Sequence, residues 1–304
     1  MPPRTPLPVP LQGRIFRVRT AIGDGTTEKR LRGRDLDRPF HGVRADGPVR
    51  SLRNRCTSLT AVMTEHQVFS HTTAAQLWRM PLPSSVDKDE LHVTALGARG
   101  RIRRPGVVGW ERQDTDLARH RVADLPVLGP ADTWCGLSVV LTREWLVAVG
   151  DFLLSGERSD RGRGMPLCTI DDLTAAVRRH GARRGAAALR WALERLRCPV
   201  DSPRESLLRL ALVAGGLPEP EVQLAVVTAG GTLHGDLGYR AARLLLEYQG
   251  DEHRRSRKRW LQDLTRIQLL EDAGYRVMLI GADDLRDGAG ALIARIRRHL
   301  RATD

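Results

Sequence analysis

Two acidic residues near the end of the chain have the spacing of a metal-binding pair. Asp236 and Glu247 lie eleven residues apart, each in a segment whose composition predicts a β-strand. Glu247 and Gln249 are two residues apart, so on a strand both side chains leave the same face. Carboxylates on adjacent strands suit a magnesium ion, which accepts one or two carboxylates together with water and a substrate phosphate. The pattern therefore predicts a site for Mg²⁺ or Mn²⁺.

A run of basic residues follows the second predicted strand. Residues 254–259 read RRSRKR, and Arg254, Arg255 and Lys258 are candidates for binding a nucleic-acid backbone. A run of charge is usually a solvated surface, but this run adjoins the acidic pair, and cations neutralise phosphates without reading base sequence. Carboxylates for a metal beside a cationic segment suit a polyanionic substrate. Together they point to metal-dependent cleavage of phosphodiester bonds.

Each acidic candidate also has an ordinary structural explanation. Asp236 can begin a turn and Glu247 can pair with an arginine. However, Glu247 follows three leucines in a predicted central strand, where an unpaired carboxylate is costly, so we favour a functional role for both residues. Glu205 ends the sequence SPRE at 202–205, a capping box with proline at the first helical position, and a helix start accounts for every residue in it.

Other polar residues are weaker candidates. His253 can act as a general acid near neutral pH, although a lone histidine in a loop is more often solvated. Asp263 and Arg266 are one helical turn apart and are expected to pair within their helix. The tryptophans and histidines of the first half have no catalytic spacing, and we expect them at core or edge positions; they are His71, Trp78, His92, Trp110 and Trp134.

The composition limits the class of protein. The chain has 304 residues, enough for two domains, and its 41% hydrophobic and 28% charged residues are typical of a folded protein. The net charge of +13 favours phosphate-rich partners, although a GC-rich genome also encodes many arginines. The sequence contains no candidate signal peptide or membrane span, and its four separated cysteines form no CxxC pair. We therefore expect a reduced cytoplasmic protein without membrane association.

The elements that must position the acidic pair follow a composition change near residues 198–203. Beyond it we predict, in order, a helix, three strands, a helix, a strand and a final helix. Their ranges are 203–214, 221–228, 232–237, 243–249, 256–273, 275–280 and about 290–301. We expect Val222, Leu224 and Val226 on one side of the first strand, and we expect the third strand to be buried on both faces.

The preceding residues are expected to form a separate region. Residues 1–29 are predicted to be a flexible, basic and proline-rich tail, and residues 30–198 a mixed α+β domain. Within that domain we predict a helix over 132–154 and an exposed loop over 155–164, SGERSDRGRG. The second domain is then 199–304.

Several motifs of the last hundred residues resemble the signature of a bacterial domain family related to very-short-patch-repair endonucleases. They are SPRE at 202–205, DLGY at 236–239, LEYQG at 246–250, His253 and LEDAGYRV at 270–277. That family belongs to the PD-(D/E)XK nuclease superfamily. The resemblance implies a restriction-endonuclease-like α-β-β-β-α-β core within an α/β protein of two domains.

The resemblance also implies roles for individual residues. It makes Asp236 and Glu247 metal ligands, Glu205 a supporting acidic residue on the first helix, and His253 the counterpart of a histidine common after the third strand. Gln249 stands where the superfamily usually has a lysine that orients the attacking water. Because glutamine carries no charge, we expect transition-state stabilisation to be weaker or to come from a nearby basic residue. Relatives with glutamine here can be active, and a protein that only binds DNA is the alternative.

Residues 30–150 resemble a region of AbiEi-like antitoxin proteins. The resemblance rests on RDLDRPFHGVR at 34–44 and FSH at 69–71, and the usual N-terminal winged helix is shortened or missing.

The combined expectation is a metal-dependent DNA endonuclease or nickase, a hydrolase that acts in DNA repair or phage defence. One alternative is a non-enzymatic DNA-binding regulator of antitoxin type with a silent nuclease core. Another is a module that binds a protein partner, such as a toxin, through the N-terminal half.

Overall fold

The chain is a mixed α/β protein with several sheets. The computed structural model describes residues 5–87, 89–97, 99–159, 161–249 and 257–302, and of residues 257–262 and 286–288 it describes the backbone only. No helix within these ranges is long and apolar enough to cross a membrane. The chain divides into two compact units. The first consists of Met1–Arg79 and Ser84–Thr133, and the second of Met80–Pro83 and Trp134–Asp304.

The first unit is built around a mixed sheet of five strands. Its helices are α1 (Val18–Gly23), α2 (Glu28–Leu31), α3 (Leu52–Thr60) and α4 (His71–Leu77), and its strands are β1 (Ile15–Arg17), β2 (Val43–Ala45), β3 (Gln67–Phe69), β4 (Leu91–Leu96), β5 (Val107–Arg112), β6 (Arg119–Val122) and β7 (Leu125–Leu128). The strand order in the sheet is β5-β4-β3-β7-β6, and β1 pairs with β2 separately. Strand β3 is parallel to β7 and antiparallel to β4.

His71, His92 and Trp110 of the first unit pack together, in agreement with the expectation of core or edge positions. His71 and His92 are each buried, and the His71 ring stacks on Trp110 with centroids 4.1 Å apart. Trp110 Nε1 donates to His92 Nδ1 at 3.1 Å. Burial lowers the pKa of His71 to about 3, so this ring is neutral at physiological pH. The cluster is part of the packed interior of the unit.

Part of the segment that we expected to be a flexible tail is packed. Leu7 and Leu11 are buried in one apolar cluster with Phe16, Leu31 and Leu36. Residues Val9–Leu11 form a short 3-10 helix. The proline-rich sequence has no helical or strand period, so its leucines gave no sign of this packing.

The second unit contains a sheet of four strands and helices around it. Its helices are α6 (Arg143–Ser155), α7 (Ile170–His180), α8 (Ala186–Leu193), α9 (Pro203–Ala214), α10 (Arg257–Asp272) and α11 (Gly290–Arg301), and its strands are β8 (Arg158–Ser159), β9 (Gly162–Arg163), β10 (Glu221–Thr228), β11 (Gly231–Tyr239), β12 (Leu244–Tyr248) and β13 (Arg276–Ile280). The division between the units, after Thr133, falls within the residues of helix α5 (Pro130–Leu137). A 3-10 helix, Asp283–Ala289, precedes α11.

One predicted helix is wrong. The apolar period over 132–154 suggested a single helix, but the chain leaves the helix after Leu137 and re-enters it at Arg143. The Thr142 hydroxyl accepts a hydrogen bond from the Trp145 N–H and caps the new helix. Thr142, a favourable N-cap residue in the middle of the apolar pattern, was the sequence feature that indicated a second helix start.

The element order predicted for the last hundred residues is confirmed. The sheet order is β10-β11-β12-β13, with antiparallel pairing from β10 to β12 and parallel pairing between β12 and β13. Leu244 and Leu246 pack in the same apolar cluster as Leu208 of α9, and Leu245 packs with Leu270 of α10 in another. Strand β12 is therefore buried on both faces, as its apolar sequence predicted.

The prediction that Val222, Leu224 and Val226 share one side of β10 is wrong. Val222 packs in the cluster that contains Leu208, whereas Leu224 and Val226 pack in the cluster that contains Leu270. Between them Gln223 has a φ of 48°, in the left-handed region that non-glycine residues rarely adopt. This residue interrupts the alternation of the strand, which a pattern of apolar residues does not reveal.

Helices α6 to α8 belong to the same compact unit as the last hundred residues, although we predicted a domain boundary at 198/199. Arg209 of α9 binds Asp151 of α6 with Nη2 and Oδ2 3.1 Å apart, and both side chains are almost fully buried. Asp151 also accepts hydrogen bonds from the Ser206 hydroxyl and the Arg197 N–H, each at 2.7 Å. That residues 199–304 form a domain by themselves stays a prediction.

Candidate active site

The structure brings Asp236 and Glu247 together on neighbouring strands. In the antiparallel pairing of β11 with β12, Leu237 is opposite Leu246, and Asp236 and Glu247 are the next residues on each strand. The Tyr248 N–H donates to Asp236 Oδ2 at 2.8 Å, so the aspartate is held against β12. A Cβ atom on Gly235 would lie 2.6 Å from Leu245 Cδ2, so a larger residue there would require the Leu245 side chain to move.

Glu247 is paired with an arginine of α10. Arg266 Nη1 lies 2.8 Å from Glu247 Oε2, and Nη2 lies 3.1 Å from Oε1, so the guanidinium holds both carboxylate oxygens. Arg266 also donates to the His234 carbonyl oxygen of β11. The predicted pairing of Arg266 with Asp263 within the helix is thus replaced by a pairing across the site. Glu247 therefore forms the ion pair with an arginine that was its alternative, structural explanation.

Asp236 lies among negative charges. Burial raises the pKa of Asp236 well above its usual range, and the carboxylates of Glu205 and Glu247 raise it further. The hydrogen bond from Tyr248 and the charge of Arg266 oppose this effect without reversing it. Three carboxyl groups therefore share one neighbourhood with one arginine.

Glu205 contributes more than a helix cap. Its N–H donates to Ser202 Oγ, as a capping box requires, but its carboxylate accepts from the Asp201 N–H and from Gln223 Nε2, both at 3.1 Å. Its side chain is buried, and burial, together with the nearby Asp201 charge, raises its pKa to about 7. The left-handed backbone of Gln223 thus belongs to a residue that holds the Glu205 carboxylate.

The remaining candidates are distributed differently. Gln249 is half-buried, and its N–H donates to the Ile280 carbonyl oxygen at 2.8 Å. Lys258 lies in the first turn of α10, but its side chain is outside the described residues. His253, Arg254 and Arg255 also lie outside the described residues.

An open cavity of about 560 Å³ lies beside the acidic pair, and Glu205 is not among its lining residues. Asp236, Glu247, Gln249 and Arg266 line it, together with Arg158 and Arg163 of the short β8–β9 hairpin. The segment around this hairpin was predicted only to be an exposed loop. Its high content of glycine and arginine gave no indication of which surface it would join.

The donor chemistry of the pair fits a divalent ion. Within the part of the chain that the structure describes, no three His, Cys, Asp or Glu side chains form a group that could hold a metal ion. Two carboxylates are enough for magnesium, which completes its ligand shell with water and phosphate oxygens. Burial raises the pKa of Asp236, and repulsion from Glu205 and Glu247 raises it further; a cation at this place would relieve that repulsion. A cation bound by Asp236 and Glu247 would compete with Arg266 for the Glu247 carboxylate.

Several residues of the site were not among the sequence candidates, including Gln223, Arg158 and Arg163. These three reach the site through long-range contacts, and none of them belongs to a motif with a recognisable spacing. For Arg266, the sequence predicted only an ion pair with Asp263 within the helix. Its position nineteen residues after Glu247 has meaning only once α10 packs on the sheet.

Comparisons with known proteins give relatives without assigned functions. The chain is 30% identical over 266 residues to "Uncharacterized protein MT2308" of Mycobacterium tuberculosis strain CDC 1551 / Oshkosh, which covers 87% of this chain and 92% of the relative. The same identity and coverage hold for "Uncharacterized protein Rv2248" of strain ATCC 25618 / H37Rv. No protein-family model matches the chain, and no solved structure matches it. The chain belongs to the same family as these two uncharacterized mycobacterial proteins.

Proposed function

We propose that this protein is a metal-dependent DNA endonuclease or nickase, related to the very-short-patch-repair-like branch of the PD-(D/E)XK nucleases and acting in DNA repair or phage defence. One observation carries the proposal: Asp236 and Glu247 meet on paired strands in an open cavity that arginines also line. The order helix, three strands, helix, strand supports the resemblance to the nuclease core. Asp236 and Glu247 would hold Mg²⁺ or Mn²⁺, and Glu205 would support the site through a water or a second ion.

The residues of the site have distinct roles in this proposal. When bound, a divalent ion acts as a Lewis acid on the phosphate and makes an attacking water more acidic. Gln249 orients the attacking water by hydrogen bonding, and Arg266 supplies the positive charge that glutamine lacks at the usual lysine position. His253, outside the described residues, is a candidate general acid, and Arg254, Arg255 and Lys258 are candidates for backbone contacts.

A second function is favoured by a different observation. Arg266 already neutralises Glu247 through two hydrogen bonds, and Gln249 carries no charge, so the core would also suit a DNA-binding regulator of antitoxin type without catalysis. Such a regulator binds DNA without a divalent ion. In either case the first unit is the candidate surface for a protein partner, because it carries the AbiEi-like resemblance.

Supercoiled plasmid distinguishes the two functions. The purified protein is incubated with plasmid in Mg²⁺, Mn²⁺ or EDTA, and nicked and linear products are measured beside a gel-shift assay. Nicking that requires the metal and is lost in Glu247→Ala supports the nuclease. A shift without cleavage, unchanged in EDTA and in Glu247→Ala, supports the regulator.

A further inference from the structure

The β8–β9 hairpin places two arginines on the wall of the cavity. Arg158 and Arg163 both line it, and both lie against Asp201, with Arg158 Nε 3.5 Å from Asp201 Oδ2. Arg163 also donates from Nη1 to the Val200 carbonyl oxygen at 2.8 Å. Asp201 in turn donates its N–H to Glu205 Oε2, so the hairpin is linked to the acidic residues through one residue.

The side of the cavity formed by Arg158, Arg163 and Asp201, here called the arginine wall, carries net positive charge, unlike the acidic pair. Two guanidinium groups share the single carboxylate of Asp201, which leaves one positive charge in excess on the wall. Elsewhere on the lining of the cavity, the carboxyl groups of Asp236, Glu247 and Asp263 outnumber the single guanidinium of Arg266. A phosphodiester, with one negative charge, matches the wall, whereas a divalent cation matches the acidic residues.

The two arginines are not equivalent. Arg163 has one quarter of its side chain exposed and is held by two partners, so it fixes the hairpin to residues 200–201. Arg158 has 52% of its side chain exposed and makes one long ion pair, so its guanidinium is the one that a ligand in the cavity can recruit. Arginine also offers several N–H donors in the geometry that a phosphate accepts.

We infer that Arg158, positioned by Arg163 and Asp201, binds a phosphate of the DNA strand next to the phosphate that is cleaved. This inference rests on the proposed function and names the substrate contact of that same cavity. It also makes the hairpin after α6 part of the DNA-binding surface of the second unit. The basic run that the sequence singled out is then not its only cationic contact with DNA.

The test is the salt dependence of DNA binding by the full chain in EDTA, where no cleavage occurs. Binding of a fluorescein-labelled duplex of mixed sequence is measured by anisotropy over a titration of NaCl. In Arg158→Gln we expect the slope of log K against log [NaCl] to become shallower by about one, the loss of one phosphate contact. Arg158→Lys keeps the charge and should keep the slope.

Two further variants make the result specific. Arg240 is matched to Arg158, with 54% of its side chain exposed and an ion pair to Glu221, but it does not line the cavity. Arg240→Gln should leave the slope unchanged. Asp201→Asn removes the carboxylate that both arginines share, and we expect it to tighten binding and steepen the slope.

The outcomes separate this inference from the proposed function. If the wild-type protein binds and nicks DNA but Arg158→Gln has the same slope and affinity as Arg240→Gln, the inference is overturned and the nuclease stands. If the wild-type protein neither binds nor nicks DNA, both fall. A shallower slope in Arg158→Gln alone, with Asp201→Asn changing in the opposite direction, supports the inference.

Discussion

Arg266 holds Glu247 through two hydrogen bonds, with Nη1 to Oε2 at 2.8 Å and Nη2 to Oε1 at 3.1 Å. The pair joins α10 to β12 at the point where Asp236 of β11 also lies. Its positive charge lies beside the carboxylate that would bind a metal ion. On the proposed function, Arg266 would compete with a cation for Glu247, and once released it would supply positive charge beside the phosphate.

Removing Arg266 should destabilise the protein. Glu247 has 9% of its side chain exposed, and Arg266→Ala leaves it buried without its partner. Because Arg266 itself is about one third exposed, we expect a loss of roughly 1–3 kcal/mol in the free energy of unfolding. Urea denaturation in EDTA measures it. The control is Arg240→Ala, which removes an exposed arginine from an ion pair. Equal losses in the two variants would contradict the conclusion that the Arg266–Glu247 pair stabilises the fold.

The same variant should separate metal binding from catalysis. In Arg266→Ala the metal no longer competes with a guanidinium, so Mg²⁺ should raise the melting temperature more than in the wild-type protein. Nicking should nevertheless fall by about 10²–10³-fold, because the positive charge near the phosphate is lost. A variant that keeps full nicking activity would show that Arg266 has no catalytic role.

Divalent ions should stabilise the wild-type protein. A ligand present at a hundredfold excess over its dissociation constant adds about 2.7 kcal/mol to the free energy of unfolding. Melting curves in EDTA, Mg²⁺ and Mn²⁺ measure the effect. Asp236→Asn and Glu247→Ala should abolish it, whereas Glu221→Ala on the exposed side of β10 should not. Stabilisation that survives in both site variants would place the ion elsewhere.

The stability of the metal-free protein should depend on the ionisation of Glu205. Burial and Asp201 raise the pKa of this carboxyl from 4.5 to about 7, so the folded state binds its proton more tightly than the unfolded state does. Its contribution to stability is complete below about pH 4.5 and is lost as the pH rises to about 7. The elevated pKa of Asp236 acts in the same direction.

Glu205→Gln tests this dependence because glutamine does not titrate. Urea denaturation in EDTA between pH 5 and pH 8 should show a decline in the wild-type protein that is smaller in the variant, by an amount on the order of 2 kcal/mol. Glu221→Gln, the same substitution at an exposed glutamate, is the control and should leave the pH dependence unchanged. Parallel curves for the wild-type protein and Glu205→Gln would mean that the elevated pKa is not a property of Glu205.

The buried pair between α6 and α9 should be essential for the second unit. Arg209→Leu leaves Asp151 buried and without its cation, and we expect a loss of about 3–5 kcal/mol in the free energy of unfolding. Arg298→Leu, at an exposed position of α11, should cost much less. Urea denaturation measures both. A loss below about 1 kcal/mol in Arg209→Leu would indicate that the Asp151–Arg209 pair does not stabilise the packing of α6 on α9.

Local patterns predicted the sheet around the site well. Strand β12 was predicted because Leu244, Leu245 and Leu246 form an apolar run, and Glu247 follows it directly. The glycines at 230–231 predicted the turn between β10 and β11, and Gly274 predicted the end of the helix before β13. These signals act between neighbouring residues, so a single sequence contains them.

The partners of the acidic pair were less predictable because they are remote in sequence. Arg266 reaches Glu247 only after α10 packs on the sheet, and Arg158 reaches the cavity through a hairpin that begins nearly eighty residues before Asp236. The left-handed backbone of Gln223 contradicts the strand pattern around it, as residues at functional sites often do. Such relationships are properties of the folded chain.

Single-turnover cleavage of supercoiled plasmid in Mn²⁺ is the most direct measurement. Three proteins are compared: the wild type, Glu247→Ala, and Glu221→Ala as a carboxylate removed from the same sheet away from the cavity. We predict nicking by the wild type and by Glu221→Ala that disappears in EDTA, and none by Glu247→Ala. Equal nicking by Glu247→Ala, or no nicking by a folded wild-type protein that binds the plasmid, would contradict the proposal of a nuclease centred on Asp236 and Glu247.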